Sequence, residues 1–323
     1  MEFYVGISEP SWAHRFARCF ISINRLRRRK GDFKVNDWIL DSGAFTHIAK
    51  HGEYTTRPRD YAVEISRWAH CGNLIAACSQ DFMCEPFMFE HQDIYQALEV
   101  KGTSRDSAAA MQLRDHLEYV LSENGGIPWW EYEYVDTDDL WTQKGVRDHQ
   151  EQTVSRYAEI HYELRRIGCR VYLMPVLQGY EVEEYLECIR MYESAGFLPP
   201  GAYVGVGSVC KRNANVDTVE GLLGAIALAR PDLRLHGFGL KVTALKSEFV
   251  RQALASSDSM AWSLSARKQG RNQNCWTEAE KYRAQVQELI NQDDRRKETG
   301  RSDGRDPSSV GRDEAVRQRP VEA

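Results

Sequence analysis

Three aspartates, each at the end of a short apolar run, are the residues of this 323-residue chain whose positions best suit chemistry. Asp41 ends the run DWILD, Asp81 follows NLIAACSQ, and Asp258 follows ALASS. Carboxylates gathered in a partly apolar cleft acquire perturbed pKa values, which suits proton transfer and nucleophilic attack. Each aspartate also has an ordinary structural interpretation, because aspartate commonly caps helices and stabilises turns.

Three further apolar runs end in groups that can contact a ligand. Gln178 lies in VLQG, Gly205 and Gly207 lie in VGVGS, and His236 lies in HGFG. Glycine lets a flat ligand approach the backbone closely. A single glutamine or histidine at the end of a strand is more often a structural residue than a ligand contact. These residues therefore indicate a ligand site only when they are considered together.

A set of strand ends needs a scaffold that brings those ends together. Buried strands are predicted at five apolar runs, over 37–45, 73–81, 169–179, 202–209 and 233–240. Helical patterns lie between the later runs, over 181–196, 217–232 and 245–257. Strand alternating with helix indicates a parallel sheet, so we predict an α/β fold, a (β/α)8 TIM-type barrel with irregular insertions. A doubly wound open sheet is the second choice.

The barrel is predicted to span residues 1–290 as one domain. An aromatic and acidic insertion near 122–145, which contains Trp129 and Trp130, either covers the barrel as a hydrophobic patch or offers faces on which bases stack. Residues 291–323 are charged and nearly free of aliphatic side chains, which predicts a disordered tail.

Composition excludes several classes of protein. The net charge of −5 at pH 7 is not that of a strongly basic nucleic-acid binder, although RLRRRK at 25–30 is either a solvated helix end or a phosphate contact. No apolar run approaches about 18 residues and no secretion signal is visible, so we expect a cytoplasmic protein without membrane contact. Eight scattered cysteines without CxxC pairs favour free thiols.

The order of these motifs resembles the tRNA-guanine transglycosylase superfamily over about residues 37–270. DSGAF is similar to its DSGGF, VLQG to its VQG, VGVGS and HGFG to its glycine-rich strand ends, and SSDSMAWS to the segment that carries its nucleophile. Within the superfamily, SDSMAWSLSARKQGRNQNCW and GVGSVCKR look most like the DpdA branch. Members of that branch, found in bacteria and their viruses, exchange guanine in DNA for a 7-deazaguanine base.

The resemblance implies a role for each of the residues above. Asp258 would attack C1′ of the nucleotide as nucleophile, and Asp41 would be the general acid and then the general base. The base-binding set would be Asp81, Gln178, Gly205, Gly207, Ser42, Gly43, Phe45 and His236. Phosphates beside the extruded nucleotide would be held by Lys211, Arg212, Arg267, Lys268 and Arg271.

Two departures from the tRNA enzymes argue against a tRNA substrate more than against the reaction itself. The CxCxxC zinc motif is missing, with only Cys275 in that region, so we expect no cofactor and no metal site. Ala44 replaces the second glycine of DSGGF. The expected partners are DNA and a 7-deazaguanine such as 7-cyano-7-deazaguanine. The sequence does not decide whether helper modification proteins are needed. The alternatives are an archaeosine- or queuosine-type tRNA enzyme, a nucleosidase, and a non-catalytic nucleic-acid-binding barrel.

Overall fold

The computed structural model describes residues 1–51, 53–85, 145–212 and 215–298, and within them nine parallel strands form one sheet. The strands are β1 (Glu2–Gly6), β2 (Arg18–Ser22), β3 (Asp37–Asp41), β4 (Asn73–Cys78), β5 (Leu173–Met174), β6 (Val176–Leu177), β7 (Tyr203–Val206), β8 (Arg234–Gly237) and β9 (Ser256–Ser259). The helices are α1 (Ala44–His51), α2 (Pro58–Trp68), α3 (Val146–Arg166), α4 (Val182–Ser194), α5 (Val216–Ala229), α6 (Val242–Leu245), α7 (Glu248–Ala253), α8 (Ala261–Lys268) and α9 (Trp276–Glu298).

The sheet closes on itself through the short segment around Pro175. The strand order is β5-β4-β3-β2-β1-β9-β8-β7-β6, and its two end strands are consecutive in the chain. Pro175 has no N–H that could donate a hydrogen bond within the sheet, which explains why the strand is interrupted between β5 and β6. Its carbonyl still accepts from the N–H of Gly205 at 2.9 Å, and the N–H of Ala77 donates to Tyr172 on the other side. β5 and β6 therefore act as one strand of an eight-membered ring.

The core has two layers, as a barrel requires. Side chains that include Tyr4, Phe20, Ile39 and Met174 fill the interior of the ring. A larger apolar layer lies between the strands and the surrounding helices, where Trp38 and Trp68 are fully buried. Parallel strands covered on both faces need such continuous apolar runs, which explains why they were visible in the sequence.

The predicted (β/α)8 TIM-type barrel is confirmed, and the open sheet is excluded by the closed ring. β1 and β2 were missed, because they lie within the first 36 residues, where no motif was assigned. The helical pattern predicted over 245–257 runs too far, because β9 begins at Ser256. The insertion near 122–145 lies almost entirely outside the described residues. In the part of the chain that the structure describes, no helix is long and apolar enough to cross a membrane.

The predicted start of the disordered tail needs correction. α9 continues to Glu298, eight residues past the predicted boundary at 290. Asp293 on this extension is 7% exposed and pairs with Arg251 of α7, and Arg296 pairs with Glu248. These ion pairs hold a polar stretch that has too few aliphatic residues to be recognised as part of the core.

Candidate active site

The carboxyl ends of the strands bring the predicted acids together. Asp41 ends β3, Asp258 lies in β9, and Asp81 follows β4 by three residues. The charge of Asp258 acts on the pKa of Asp41, and the charge of Asp41 acts on that of Asp81, so the three carboxylates share one electrostatic environment. This is the end of a (β/α)8 barrel at which enzymes of this architecture place their sites.

Asp258 is a strand residue aimed into the mouth, and it is 5% exposed. Its Oδ1 accepts the N–H of Gly239 at 2.9 Å, and Nε2 of His236 lies 3.4 Å from the same oxygen. The helix-cap interpretation of Asp258 is wrong, because α8 begins two residues after the strand ends and its N-cap residue is Met260. The small neighbours Ser257 and Ser259 belong to the strand itself.

Asp41 is a half-buried carboxyl whose pKa is raised to about 6. Desolvation by the barrel is the main cause, and the negative charge of Asp258 adds to it. Hydrogen bonds from the Ser22 hydroxyl and from the backbone N–H groups of Gly43 and Ser42 act in the opposite direction. A carboxyl with this pKa can give and take a proton near neutral pH, as a general acid–base catalyst must.

Asp81 and Gln178 face each other in the next part of the mouth. Gln178 Nε2 donates to Asp81 Oδ2, and the Ser42 hydroxyl lies 3.5 Å from Oδ1. Burial raises the pKa of Asp81 to about 7, the bond from Gln178 lowers it, and the charges of Asp41 and Glu85 raise it further. Asp81 is therefore a carboxyl that can be either a donor or an acceptor at neutral pH.

Ser208 and Tyr54 extend this hydrogen-bond network, and neither residue was predicted from the sequence. The Ser208 hydroxyl donates to Gln178 Oε1 at 3.0 Å, which turns the Gln178 amide so that its NH2 faces Asp81. Ser208 has φ +60, a conformation that costs a non-glycine residue free energy and that clusters at functional sites. The Tyr54 hydroxyl accepts the Asp81 N–H at 3.0 Å. The signal for Ser208 was its place directly after VGVG.

The predicted glycines create space for neighbouring side chains. A Cβ at Gly205 would overlap the Phe238 ring, and one at Gly207 would overlap the Gln178 amide. Gly43 has φ +75 and lies against the Asn24 amide, so the turn after β3 requires it. The structure thus gives these glycines a role in shaping the mouth, and contact with a base stays a prediction.

Two other members of the predicted base-binding set differ sharply in exposure. Phe45 on α1 is 49% exposed, and its contact with a base stays a prediction. His236 has no exposed surface and lies between Ser256 and Asp258. Its ring contacts a carboxylate and a hydroxyl of the protein, which points to a supporting role.

The predicted phosphate-binding cations occupy different settings. Arg267 and Lys268 are exposed on the last turn of α8. At a rise of ~1.5 Å per residue, Arg267 lies about 9 Å along the helix axis from Ala261, the first residue of α8. Arg271 pairs with Glu278, so part of its charge is already compensated. The Arg212 guanidinium lies 4.1 Å from the centre of the Tyr180 ring, a cation–π contact. The Lys211 side chain lies outside the described residues.

One group of potential metal ligands occurs among the described residues, and it lies away from this mouth. The ligand atoms of Asp32, His70 and Cys71 are within 4.8 Å of one another. They precede β3 and β4, which places them at the amino ends of the strands. Cys275, the single cysteine after the nucleophile segment, has its sulfur 3.0 Å from the Thr277 hydroxyl. The described part of the mouth presents carboxylates and amides.

The fold and the site together define a (β/α)8 barrel with a carboxylate-lined mouth at the carboxyl ends of its strands. A family model described as DpdA, DeoxyPurine in DNA protein A, matches residues 1–114 and 131–282, which is most of the chain. The chain therefore belongs to the DpdA family, and its function lies in the modification of deoxypurines in DNA. The match includes β1 and β2. Comparison with curated proteins gave no match.

Proposed function

We propose that this protein is a DNA-guanine transglycosylase, a pentosyltransferase that exchanges guanine in DNA for a 7-deazaguanine base such as 7-cyano-7-deazaguanine. The observation that carries the proposal is the presence of two carboxyl groups in one mouth. Asp258 accepts a hydrogen bond from the Gly239 N–H, and Asp41, on which the charge of Asp258 acts, has a pKa raised to about 6. Membership of the DpdA family supports DNA as the polymer that is modified.

The first half-reaction removes guanine. Asp258 attacks C1′ of the deoxynucleotide, the C1′–N9 bond breaks, and its electron pair leaves with the base. Protonated Asp41 gives its proton to the departing guanine. The product is a covalent glycosyl-enzyme, which divides one difficult displacement into two easier ones.

The second half-reaction reverses these steps with another base. Asp41, now ionised, takes the proton from N9 of the incoming 7-deazaguanine, and N9 attacks C1′. The bond between C1′ and Asp258 breaks, and its electron pair returns to the carboxylate. Two displacements on opposite faces of the sugar retain the configuration at C1′, as in retaining glycosidases.

Asp81 and Gln178 are suited to hold the purine edge. Ionised Asp81 accepts hydrogen bonds from N1–H and the 2-amino group, and Gln178 Nε2 donates to O6. These two side chains bond to each other in this structure, so a purine would replace that bond with bonds to its own edge. Ser208 holds the Gln178 amide in the orientation that presents a donor to O6.

DNA must deliver an extruded nucleotide to this mouth. Flipping a base from a duplex costs roughly a few kcal/mol, which contacts elsewhere must offset. α8 starts beside Asp258 and carries Arg267 and Lys268 outward, and no acidic residue lies between Met260 and Thr277. This surface suits the phosphates that flank the extruded nucleotide.

The test is a base-exchange assay. Purified protein is incubated with guanine-labelled duplex DNA and, in parallel, with guanine-labelled tRNA, each with excess 7-cyano-7-deazaguanine. We expect label release from DNA alone. Release from tRNA alone would assign the tRNA reaction, and abasic sites formed without added base would assign a nucleosidase. No release from either substrate would leave a non-catalytic binding barrel.

A further inference from the structure

His236 is a buried histidine that no part of the proposed exchange mechanism yet uses. Its ring is fully buried and stacks on Phe20 at a centroid distance of 5.4 Å, with an interplanar angle of 15°. Phe238 meets the ring at an angle of 67° and a centroid distance of 4.9 Å. These two rings fix the plane of the imidazole, so its two nitrogens point in defined directions.

The two nitrogens of His236 have different neighbours. Nδ1 lies 2.7 Å from the Ser256 hydroxyl and 3.3 Å from that of Tyr203, and the two hydroxyls also bond to each other. Nε2 is buried, forms no hydrogen bond of good geometry within the described residues, and lies 3.4 Å from Asp258 Oδ1. The histidine therefore links a chain of hydroxyls to the nucleophile.

The number of available protons fixes the direction of each hydrogen bond in this series of side chains. An ionised carboxylate only accepts hydrogen bonds, so Nε2 must carry a proton to interact favourably with Asp258. In a neutral ring Nδ1 is then an acceptor, which the Ser256 hydroxyl can satisfy while it accepts from Tyr203. Every donor in this arrangement has an acceptor, and the carboxylate at the end carries the single charge.

Both donors near Asp258 act on the same oxygen. The Gly239 N–H reaches Oδ1 at 2.9 Å and His236 Nε2 approaches Oδ1, whereas no described residue donates a hydrogen bond to Oδ2. We infer that His236 is a positioning residue that reserves Oδ2 of Asp258 for attack on C1′ and stabilises the carboxylate when the sugar departs. This inference rests on the proposed exchange function.

The role follows from where charge develops. When Oδ2 bonds to C1′, Oδ1 becomes the carbonyl oxygen of an ester and carries less negative charge. When N9 of the incoming base displaces the ester, the electron pair returns to the carboxylate and Oδ1 regains its charge. A hydrogen bond that shortens from 3.4 Å at that moment favours the second half-reaction, and such bonds often tighten only during catalysis.

Two variants at this one position separate the role from mere packing. The side-chain amide of His236→Gln places an NH2 near the position of Nε2, and that of His236→Asn places it near Nδ1. We expect His236→Asn to slow steady-state exchange roughly ten- to a hundredfold, the range of a hydrogen bond to a charged group. The fraction of enzyme trapped as DNA adduct on a denaturing gel should rise, because release slows more than attack. His236→Gln should keep most of the wild-type rate and adduct fraction.

Other outcomes of this comparison would overturn the inference. Equal loss of adduct and exchange in both variants, with a lower melting temperature, would make His236 a packing residue only. Wild-type exchange and adduct levels in His236→Asn would also overturn it. Both results leave the proposed function standing, because the wild-type protein exchanges bases in each.

A spectroscopic measurement tests the inference without activity. Long-range proton–nitrogen NMR spectra of 15N-histidine protein report which ring nitrogens are protonated, and His236→Asn identifies the His236 signals by their loss. We expect a proton on Nε2 at pH 7. An Nε2 without a proton would overturn the inference and leave the proposed function standing, whereas absence of exchange by the wild-type protein would overturn the proposed function and the role of His236 that rests on it.

Discussion

The two ends of the barrel bury carboxylates in opposite ways. At the amino ends of the strands, Asp293 of α9 faces Arg251, with Nε and Oδ2 2.6 Å apart, and the guanidinium also donates to the carbonyl of Leu245. At the carboxyl ends of the strands, the described donors to Asp41 and Asp81 are hydroxyl, amide and backbone N–H groups. No lysine or arginine of the described residues bonds to either carboxylate.

The difference shows how the charge of a buried aspartate is compensated by a guanidinium in one place and left with weaker, neutral donors in another. A guanidinium compensates the charge of Asp293, which fixes that carboxylate as part of the structure. Neutral donors compensate less, so burial raises the pKa of Asp41 to about 6 and that of Asp81 to about 7. Carboxyls in that range change protonation near neutral pH. Burial of their ionised form lowers the free energy of unfolding of the barrel.

The largest effect is expected from removing the proposed nucleophile. Asp258→Asn should lower exchange more than about a thousandfold and abolish the covalent adduct, because an amide does not attack C1′. The melting temperature should change little, since Asn still accepts the Gly239 N–H. Denaturing gels that show a wild-type level of adduct in this variant would move the nucleophile to another residue.

Removing the proposed proton donor should have the next largest effect. Asp41→Asn should slow guanine release about a hundred- to ten-thousandfold, the usual contribution of general acid–base catalysis. In the wild type, guanine release should fall as pH rises through about 6, because Asp41 must be protonated to act. This limb of the pH profile should vanish in Asp41→Asn, and an unchanged profile would rule out the role of Asp41.

The strand ends were predictable because buried parallel strands are apolar throughout and polar residues mark where they stop. Asp41, Gln178 and Asp258 were therefore found from their position along the chain. β1 and β2 are equally apolar, but Gly6 and Ser22 at their ends carry no distinctive chemistry. The sequence also placed the strand ends in order, which is enough to predict a common mouth.

Contacts between distant residues could not be predicted in the same way. Ser22 and Ser208 are ordinary serines until the fold brings one to Asp41 and the other to Gln178. His236 was assigned to the base because it lies near a strand end, but its register in β8 faces it toward Ser256. Depth within the barrel, which distinguishes a ligand contact from a support, has no signature in one sequence.

Breaking the ion pair at the opposite end should reduce stability and leave chemistry intact. Arg251→Met leaves Asp293 buried without its partner, which should lower the unfolding free energy by about 3–5 kcal/mol. Urea unfolding measures this loss, and the double variant with Asp293→Leu should recover most of it. Exchange per folded molecule should stay at the wild-type level. Loss of exchange in fully folded protein would show that the two ends are coupled.

The same change from aspartate to asparagine should have opposite signs at the two ends. Asp81 is protonated in both states below about pH 4, and stability is lost as pH rises through its folded pKa of about 7. Asp81→Asn removes that cost, so it should raise the unfolding free energy by about 2–4 kcal/mol at pH 8, and by less at pH 5. Asp293→Asn, the matched control, should lower stability at both pH values because Arg251 loses its partner.

Asp81→Asn should at the same time lose exchange, since its amide cannot accept from both N1–H and the 2-amino group of a purine. Chemical unfolding at pH 5 and pH 8, with exchange measured on the same samples, checks both halves of this prediction. A destabilised Asp81→Asn at pH 8 would mean that the Asp81 charge is compensated after all. The carboxyl ends of the strands would then bury their carboxylates as the opposite end does, and the contrast between the two ends would be lost.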